Sequence, residues 1–250
     1  MFIDKPGEIQ VQTEPGKDEF RDLTQKEINN YGVGCGFRYK CHVNNTKITF
    51  VHVVRTAGIS ITDWFIKRAH AQKDSKSLHL TAVHENLRGT RKLFNDDIGI
   101  SFQVIRNPWD WHVSCYHYHL RRFKNEKEFD LQDAKKKIPF ETFLAAQRFG
   151  GYSQNPYNDK QTTPLRDTSL FRWATAFTVR FENLADDFNN VIKNIVGDPS
   201  DIPLQRKNTS DSMKTKGLDY TDYYNAETKD IVYHRHKTYI ERYGYEFEKH

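Results

Sequence analysis

Apolar and polar positions fall in blocks along this chain, and the blocks predict strands and helices in turn. The first strong block is Ile48-Thr49-Phe50-Val51-His52-Val53-Val54. It is β-branched and nearly continuously apolar, the pattern of a buried central strand in a parallel sheet. A short loop, Arg55-Thr56-Ala57-Gly58-Ile59-Ser60, leads into a helix predicted over residues 61–69. A second short strand is predicted at Leu78–Leu80, then a helix over 83–94. A third strand, Ile100–Ile105, ends at Arg106-Asn107-Pro108. Proline suits a first helical turn, where its missing N–H costs nothing, so a helix is predicted from Pro108 to Arg122. A helix over 139–148, a strand over 177–181, a helix over 183–196 and a last helix, Ala226–Tyr243, closed by Gly244, complete the pattern.

The intervening stretches read differently. Residues 1–46 are polar, with turn signals at Pro6-Gly7 and Pro15-Gly16, and are expected to form an irregular arm. Residues 124–137 are charge-dense and end in Lys135-Lys136-Lys137, which reads as a solvated helix face or linker. Residues 149–167 are rich in Gly, Asn, Gln and Pro and are expected to form a substrate-facing lid. Strands alternating with helices predict an α/β fold. The expectation is one domain over 47–250, with a central, mainly parallel β-sheet flanked by helices.

Composition narrows the classes. Phe, Trp and Tyr make up 14% of the 250 residues, too many for a disordered chain. No apolar run approaches the ~20 residues that span a bilayer. MFIDKPGEIQ lacks the basic-then-apolar pattern of a secretory leader, so a cytoplasmic protein is expected. Lys plus Arg number 38 against 33 Asp plus Glu, a net +5. That excess fits an anionic partner but is not the footprint of a dedicated nucleic-acid binder. Cys35, Cys41 and Cys115 make an odd count that fits no disulfide framework. The Cys35–Cys41 spacing beside His42 matches no zinc pattern, and no metal site is expected.

Ligands of open α/β sheets bind beyond the carboxyl ends of the strands. At the first such end, the loop turns a buried strand into a helix. Backbone N–H groups and the positive end of the helix dipole then converge on one spot. Gly58 lets the backbone approach a ligand closely, and Thr56 and Ser60 supply hydroxyls. Arg55 adds a forked, permanent charge suited to phosphate or sulfate oxygens. The loop is thus a phosphate-binding loop in physical terms, although it lacks the Gly-x4-Gly-Lys-Ser/Thr pattern of Walker A. The alternative is an ordinary capped turn. At the second end, Arg106 follows the apolar run, and Ser114 lies about two helical turns on, on a side that can face the same crevice. The pair suits a second phosphate; alternatively, Arg106 pairs with a carboxylate and Ser114 is a helix spacer. Two anion sites at neighbouring strand ends imply a ligand with two separated anionic groups.

These two segments resemble the cofactor motifs of the sulfotransferase superfamily, in its carbohydrate-sulfotransferase branch. Phe50-Val51-His52-Val53-Val54-Arg55-Thr56-Ala57-Gly58-Ile59-Ser60-Ile61 resembles the loop that holds the 5′-phosphosulfate. Val104-Ile105-Arg106-Asn107-Pro108-Trp109-Asp110, continuing through Ser114-Cys115-Tyr116, resembles the segment that holds the 3′-phosphate. Arg180-Phe181-Glu182-Asn183-Leu184, Asn208-Thr209-Ser210 and Tyr243-Gly244-Tyr245 extend the likeness, in order, over about residues 48–247.

The resemblance implies a P-loop-containing domain that uses 3′-phosphoadenosine 5′-phosphosulfate and releases 3′,5′-adenosine bisphosphate. It implies a hydroxylated acceptor, a saccharide or glycoconjugate. The sulfuryl group carries less charge than a phosphoryl group, so no divalent ion is called for. Arg55, Thr56, Ala57, Gly58, Ile59, Ser60, Arg106 and Ser114 would hold the cofactor. Lys207, Asn208 and Ser210 sit in the segment that folds over the nucleotide in relatives.

Departures from the family are specific. Arg55 replaces the usual Lys, keeping the charge but losing the ability to release a proton. Ile59 replaces a Thr, removing a hydroxyl but no backbone N–H. Sulfuryl transfer also needs a base for the acceptor hydroxyl. His79, in Leu78-His79-Leu80-Thr81-Ala82, resembles a His-x-Thr-Ala segment of relatives and is the expected base, with His84, Glu85 and His52 in reserve. Two other readings stay open: a non-catalytic module that binds anions, nucleotides or nucleic acid, and a nucleotide kinase.

Overall fold

The protein is described from a computed structural model at residues 10–12, 20–22, 37–40, 46–53, 55–71, 78–80, 99–122, 138–148, 176–196, 203–204 and 219–248. In chain order these form strands β1 (Gln10–Gln12), β2 (Phe20–Asp22), β3 (Phe37–Lys40) and β4 (Lys47–Val51), then helix α1 (Gly58–Ala71). Strands β5 (Leu78–Leu80) and β6 (Ile100–Ile105) follow, then helices α2 (Pro108–Arg122) and α3 (Phe140–Arg148). Strand β7 (Phe177–Arg180), helix α4 (Leu184–Val196), a 3-10 turn (Tyr220–Tyr223) and helix α5 (Ala226–Tyr243) complete the order. The fold is α/β. The chain packs as two units, Met1–Arg106 with Trp173–Thr209, and Asn107–Arg172 with Ser210–His250.

The first unit holds a seven-stranded sheet in the order β2-β1-β5-β3-β4-β6-β7. Strands β4, β6 and β7 are parallel neighbours, and β1 runs parallel to β5. The pairs β1–β2, β3–β4 and β3–β5 are antiparallel. The sheet is therefore mixed rather than mainly parallel. Every antiparallel pairing involves a strand from the stretch expected to be an irregular arm. Those strands span three or four residues each, too few to stand out among polar neighbours. Phe37-Arg38-Tyr39-Lys40 does carry the period of two that marks a half-buried strand.

The alternation within the central strands makes this sheet two-faced. Phe50, Phe102 and Phe177 lie in one register row, as do Ile48 and Ile100, and Val104 and Val179. These side chains pack with Ile61, Trp64 and Phe65 of α1 and with Leu184, Phe188, Val191, Ile192 and Ile195 of α4. Trp64 meets Phe65 and Phe188 edge-on, with centroids 4.8 and 5.0 Å apart. Each such side chain contributes roughly 1.5–3 kcal/mol by leaving water. Phe102→Ala would cost about 3–5 kcal/mol, because a cavity adds to the lost transfer energy. The intervening positions, Thr49, Ser101 and Gln103, are polar yet equally buried. Neither amide atom of Gln103 has a hydrogen-bond partner among the described residues.

The described residues of the second unit are mostly helical. Asn107 caps α2, its Oδ1 accepting from Trp109 N at 3.0 Å, and its Nδ2 donates to Glu246 O at 2.9 Å. This is a structural reason for Asn-Pro at a helix start. Tyr116 of α2 lies against Phe140 and Phe143 of α3, both at 5.3 Å between centroids. His112 and His236 are buried, with their Nε2 atoms 2.9 Å apart. A capping box opens α5: Asn225 Oδ1 accepts from Thr228 N, and Thr228 Oγ1 accepts from Asn225 N, both at 2.9 Å. Gly244 closes α5 in the left-handed conformation, at φ 62°. Tyr245 then stacks on Tyr239 at 5.7 Å, so the Tyr-Gly-Tyr segment works as a helix stop. Among the described residues, no helix is long and apolar enough to cross a membrane.

Candidate functional site

Among the described residues, the turn from β4 into α1 holds the non-glycine residues with positive φ. Arg55 and Ala57 both take left-handed φ values, 62° and 60°, although neither is glycine. Each placement costs roughly 1–2 kcal/mol, because Cβ crowds the following carbonyl. Such strain persists only where the surroundings over-determine it, and it clusters at ligand clamps. Several contacts hold this loop. Thr56 Oγ1 donates to Val53 O at 2.6 Å, which closes the turn from inside. Ile61 N donates to Ala57 O at 3.1 Å as the first bonded amide of α1. The imidazole of His52 packs against Gly58. Finally, Arg106 Nη1 donates to Arg55 O at 2.9 Å.

The contact from Arg106 joins the two segments singled out in the sequence. Strands β4 and β6 run parallel side by side, so the residues after them emerge at the same end of the sheet. Arg106 is 7% exposed, with its guanidinium carbon 4.0 Å from the centroid of the Phe181 ring. Phe181 is fixed in turn, because its N–H donates to Ile105 O at 2.8 Å and carries the β6–β7 pairing one residue further. Asp187 of α4 accepts from Arg180 N at 2.9 Å and from Asn183 Nδ2 at 2.8 Å. The Arg180–Leu184 segment thus builds the corner that carries the ring under Arg106. The positive end of the α1 dipole and the guanidinium of Arg106 both lie at this end of the sheet.

Several predicted roles take a different form. The Thr56 hydroxyl donates to its own loop and leaves only oxygen lone pairs for other contacts. Gly58 is required by His52 before any ligand, since a Cβ there would lie 1.8 Å from His52 Nε2. Ala57 and Ile59 contribute backbone, with half-buried side chains, whereas Ser60 is 2% exposed. Ser114 lies in the second unit, on α2, and is buried at 7%. His79 is the middle residue of β5, and its register runs through Arg38 to Thr49. One strand, β3, separates β5 from β4, which therefore lie two steps of roughly 4.8 Å apart. The pairing therefore sets the His79 backbone level with Thr49 rather than beside the loop. Lys207, Asn208, Ser210, Val54, His84, Glu85, Cys35, Cys41 and His42 lie outside the described residues.

Two contributors were not given these roles by sequence reasoning. His52 was a reserve base and instead supports the loop. Phe181 was noted only as part of a motif. Its signal was position: an aromatic residue one past a strand that neighbours the strand bearing Arg106. Among the described residues, no group of three or more His, Cys, Asp or Glu is placed to hold a metal ion. Comparison with family models, curated proteins and solved structures finds no match to this chain.

Proposed function

We propose that this chain is a sulfotransferase that moves a sulfuryl group from 3′-phosphoadenosine 5′-phosphosulfate to a hydroxyl of a saccharide or glycoconjugate. In this reading β4, β6 and β7 with their helices are the core of a P-loop-containing domain. The single observation that carries the reading is the Arg106–Arg55 hydrogen bond. It brings the start of the 3′-phosphate segment onto the 5′-phosphosulfate loop at the ends of adjacent parallel strands. The strained backbone at Arg55 and Ala57 supports it independently, because that strain turns a plain connector into a formed cradle.

The chemistry asks three things of the chain. The amides of 58–60 and the Arg55 guanidinium hold the phosphosulfate and stabilise charge building on the bridging oxygen. Arg106 holds the loop in shape and offers positive charge for the 3′-phosphate. The acceptor oxygen attacks in line with the breaking S–O bond and needs a base for its proton, a role for which the family resemblance, not the strand register, nominates His79. The family resemblance nominates Lys207, Asn208, Ser210 and Ser114 for further nucleotide contacts.

A second reading, a non-catalytic module binding the same nucleotide, is favoured by Arg55, which cannot release a proton as a family Lys can. Calorimetry with 3′,5′-adenosine bisphosphate in a chelating buffer, followed by a saccharide screen with labelled donor, separates the two. Binding much tighter than for ATP, with label transfer, supports the sulfotransferase. Binding without transfer to any acceptor selects the module, and no binding of the bisphosphate removes both.

A further inference from the structure

We propose that His52 is a positioning residue for the anion loop, acting as a rigid stop beneath Gly58. The inference rests on the binding role just assigned to that loop. Phe50 stacks on Phe102 across the sheet and on His52 along its own strand, a bent column with centroids 5.0 and 5.5 Å apart and planes inclined by 28° and 29°. The lower rings belong to the main core and are fully buried, and His52 is 4% exposed. The upper end of the column meets α1 at its first residue. A Cβ built on Gly58 would fall 1.8 Å from Nε2, 2.3 Å from Cδ2 and 2.4 Å from Cε1 of His52. The imidazole therefore fills the space that any other residue at 58 would need.

This geometry ties the loop to the packed interior. Interiors are close-packed and transmit displacement with little give. The column fixes how near the start of α1 can come to β4, and so fixes the span that residues 55–57 must bridge. Arg55 and Ala57 adopt φ values of 62° and 60° within that span. With the ring removed, α1 can settle toward β4 and the two residues can leave the left-handed region. The amides of 58–60 then lose their common aim. His52 touches no ligand in this account; it acts through Gly58.

Three variants test it, each assayed well below its own melting temperature. His52→Ala should weaken binding of 3′,5′-adenosine bisphosphate by about tenfold or more. His52→Phe, which keeps a flat ring in the column, should recover most of that loss. His52→Ala combined with Gly58→Ala should be more stable than the two single losses added together, because the new methyl enters the vacated space. A purely structural role would lower the melting temperature of His52→Ala while leaving the affinity of the folded protein unchanged, and that result overturns the proposal. Additive losses in the double variant overturn it as well. If the wild-type protein binds no bisphosphate, the sulfotransferase reading fails on its own. Amide hydrogen exchange then decides for His52: faster exchange over 56–60 in His52→Ala, with α4 unchanged, supports the proposal, and unchanged exchange over 56–60 rejects it.

Discussion

The guanidinium of Arg106 is held on two sides: it donates to the carbonyl of Arg55 at 2.9 Å and lies 4.0 Å over the ring of Phe181. A side chain read from sequence as a ligand contact is thus also part of the wall that shapes the loop. Phe181→Leu keeps an apolar side chain but removes the ring face. A cation–π contact is worth about 0.5–2 kcal/mol. If the proposed nucleotide site holds, affinity for 3′,5′-adenosine bisphosphate should therefore fall about 2- to 30-fold, with little loss for a ligand lacking the 3′-phosphate. Arg106→Ala should lose binding of both, because the loop carbonyl loses its donor. Calorimetry with the two ligands checks the contrast.

Ala57→Gly relieves a left-handed residue at no cost in packing volume beyond one methyl. The protein should gain up to about 1 kcal/mol of stability, less the entropy that glycine adds to the unfolded chain. Urea unfolding measures it. A loss of stability would mean that the Ala57 methyl does more in packing than its strained backbone costs.

Gly99 makes the opposite prediction. Its φ is 59°, and a Cβ there would lie 2.2 Å from Lys47 O, where β4 and β6 begin to pair. Gly99→Ala should cost more than about 2 kcal/mol, since left-handed strain adds to a backbone clash. Thermal unfolding should show a clear drop in melting temperature.

If His79 is the base, His79→Ala should cut turnover by ~10²–10⁴ and leave bisphosphate binding intact. Single-turnover assays with labelled donor, set beside calorimetry, separate the two effects. Normal turnover removes His79 from the role.

The second unit should be sensitive to alkali. Burial pushes up the pKa of Tyr116, Tyr220 and Tyr224. Each phenol donates to a backbone carbonyl, that of Ile138 at 2.7 Å, Glu248 at 2.6 Å and Trp109 at 2.8 Å respectively. The unfolded chain releases these protons near pH ~10, the folded chain only above it. Their stabilisation is complete below that pH and is lost as pH rises through the higher folded values. Urea midpoints measured from pH 8 to 11.5 should fall at the alkaline end, and Tyr116→Phe should flatten the fall. Absorbance titration should show late-ionising phenols among the 13 tyrosines.

Much of this fold is legible in local pattern, and the exceptions have physical causes. Strand Ile100–Ile105 and helices Pro108–Arg122 and Ala226–Tyr243 coincide with their expected bounds, because each is fenced by strong signals. Pro108 starts one helix, and Asn225 and Gly244 enclose another. The strand expected to reach Val54 stops at Val51, and the helix expected at Ile61 starts at Gly58. Both shifts come from one turn, where Thr56 bonds back to Val53 and the first helical amide reaches Ala57. No periodicity encodes that. At the site, sequence chemistry picked out Arg55 and Arg106. It could not supply the packing of His52 against Gly58, which depends on how the turn folds back, or the ring beneath Arg106, which depends on strands that meet from far apart in the chain. The short strands of the N-terminal stretch were missed for the same reason: their apolar residues count only once partners from β4 and β5 arrive.

The two-faced sheet also acts as a safeguard during folding. If β6 slipped by a single residue against β4, the Gln103 amide would be driven among the rings of Phe50, Phe65 and Phe188. Phe102 would move to the hydroxyl-lined side. No intermediate register is half right, because side chains alternate with a period of two. A chain misaligned by one residue is thus penalised at every position of the strand, which favours the alignment that brings Arg106 up to Arg55.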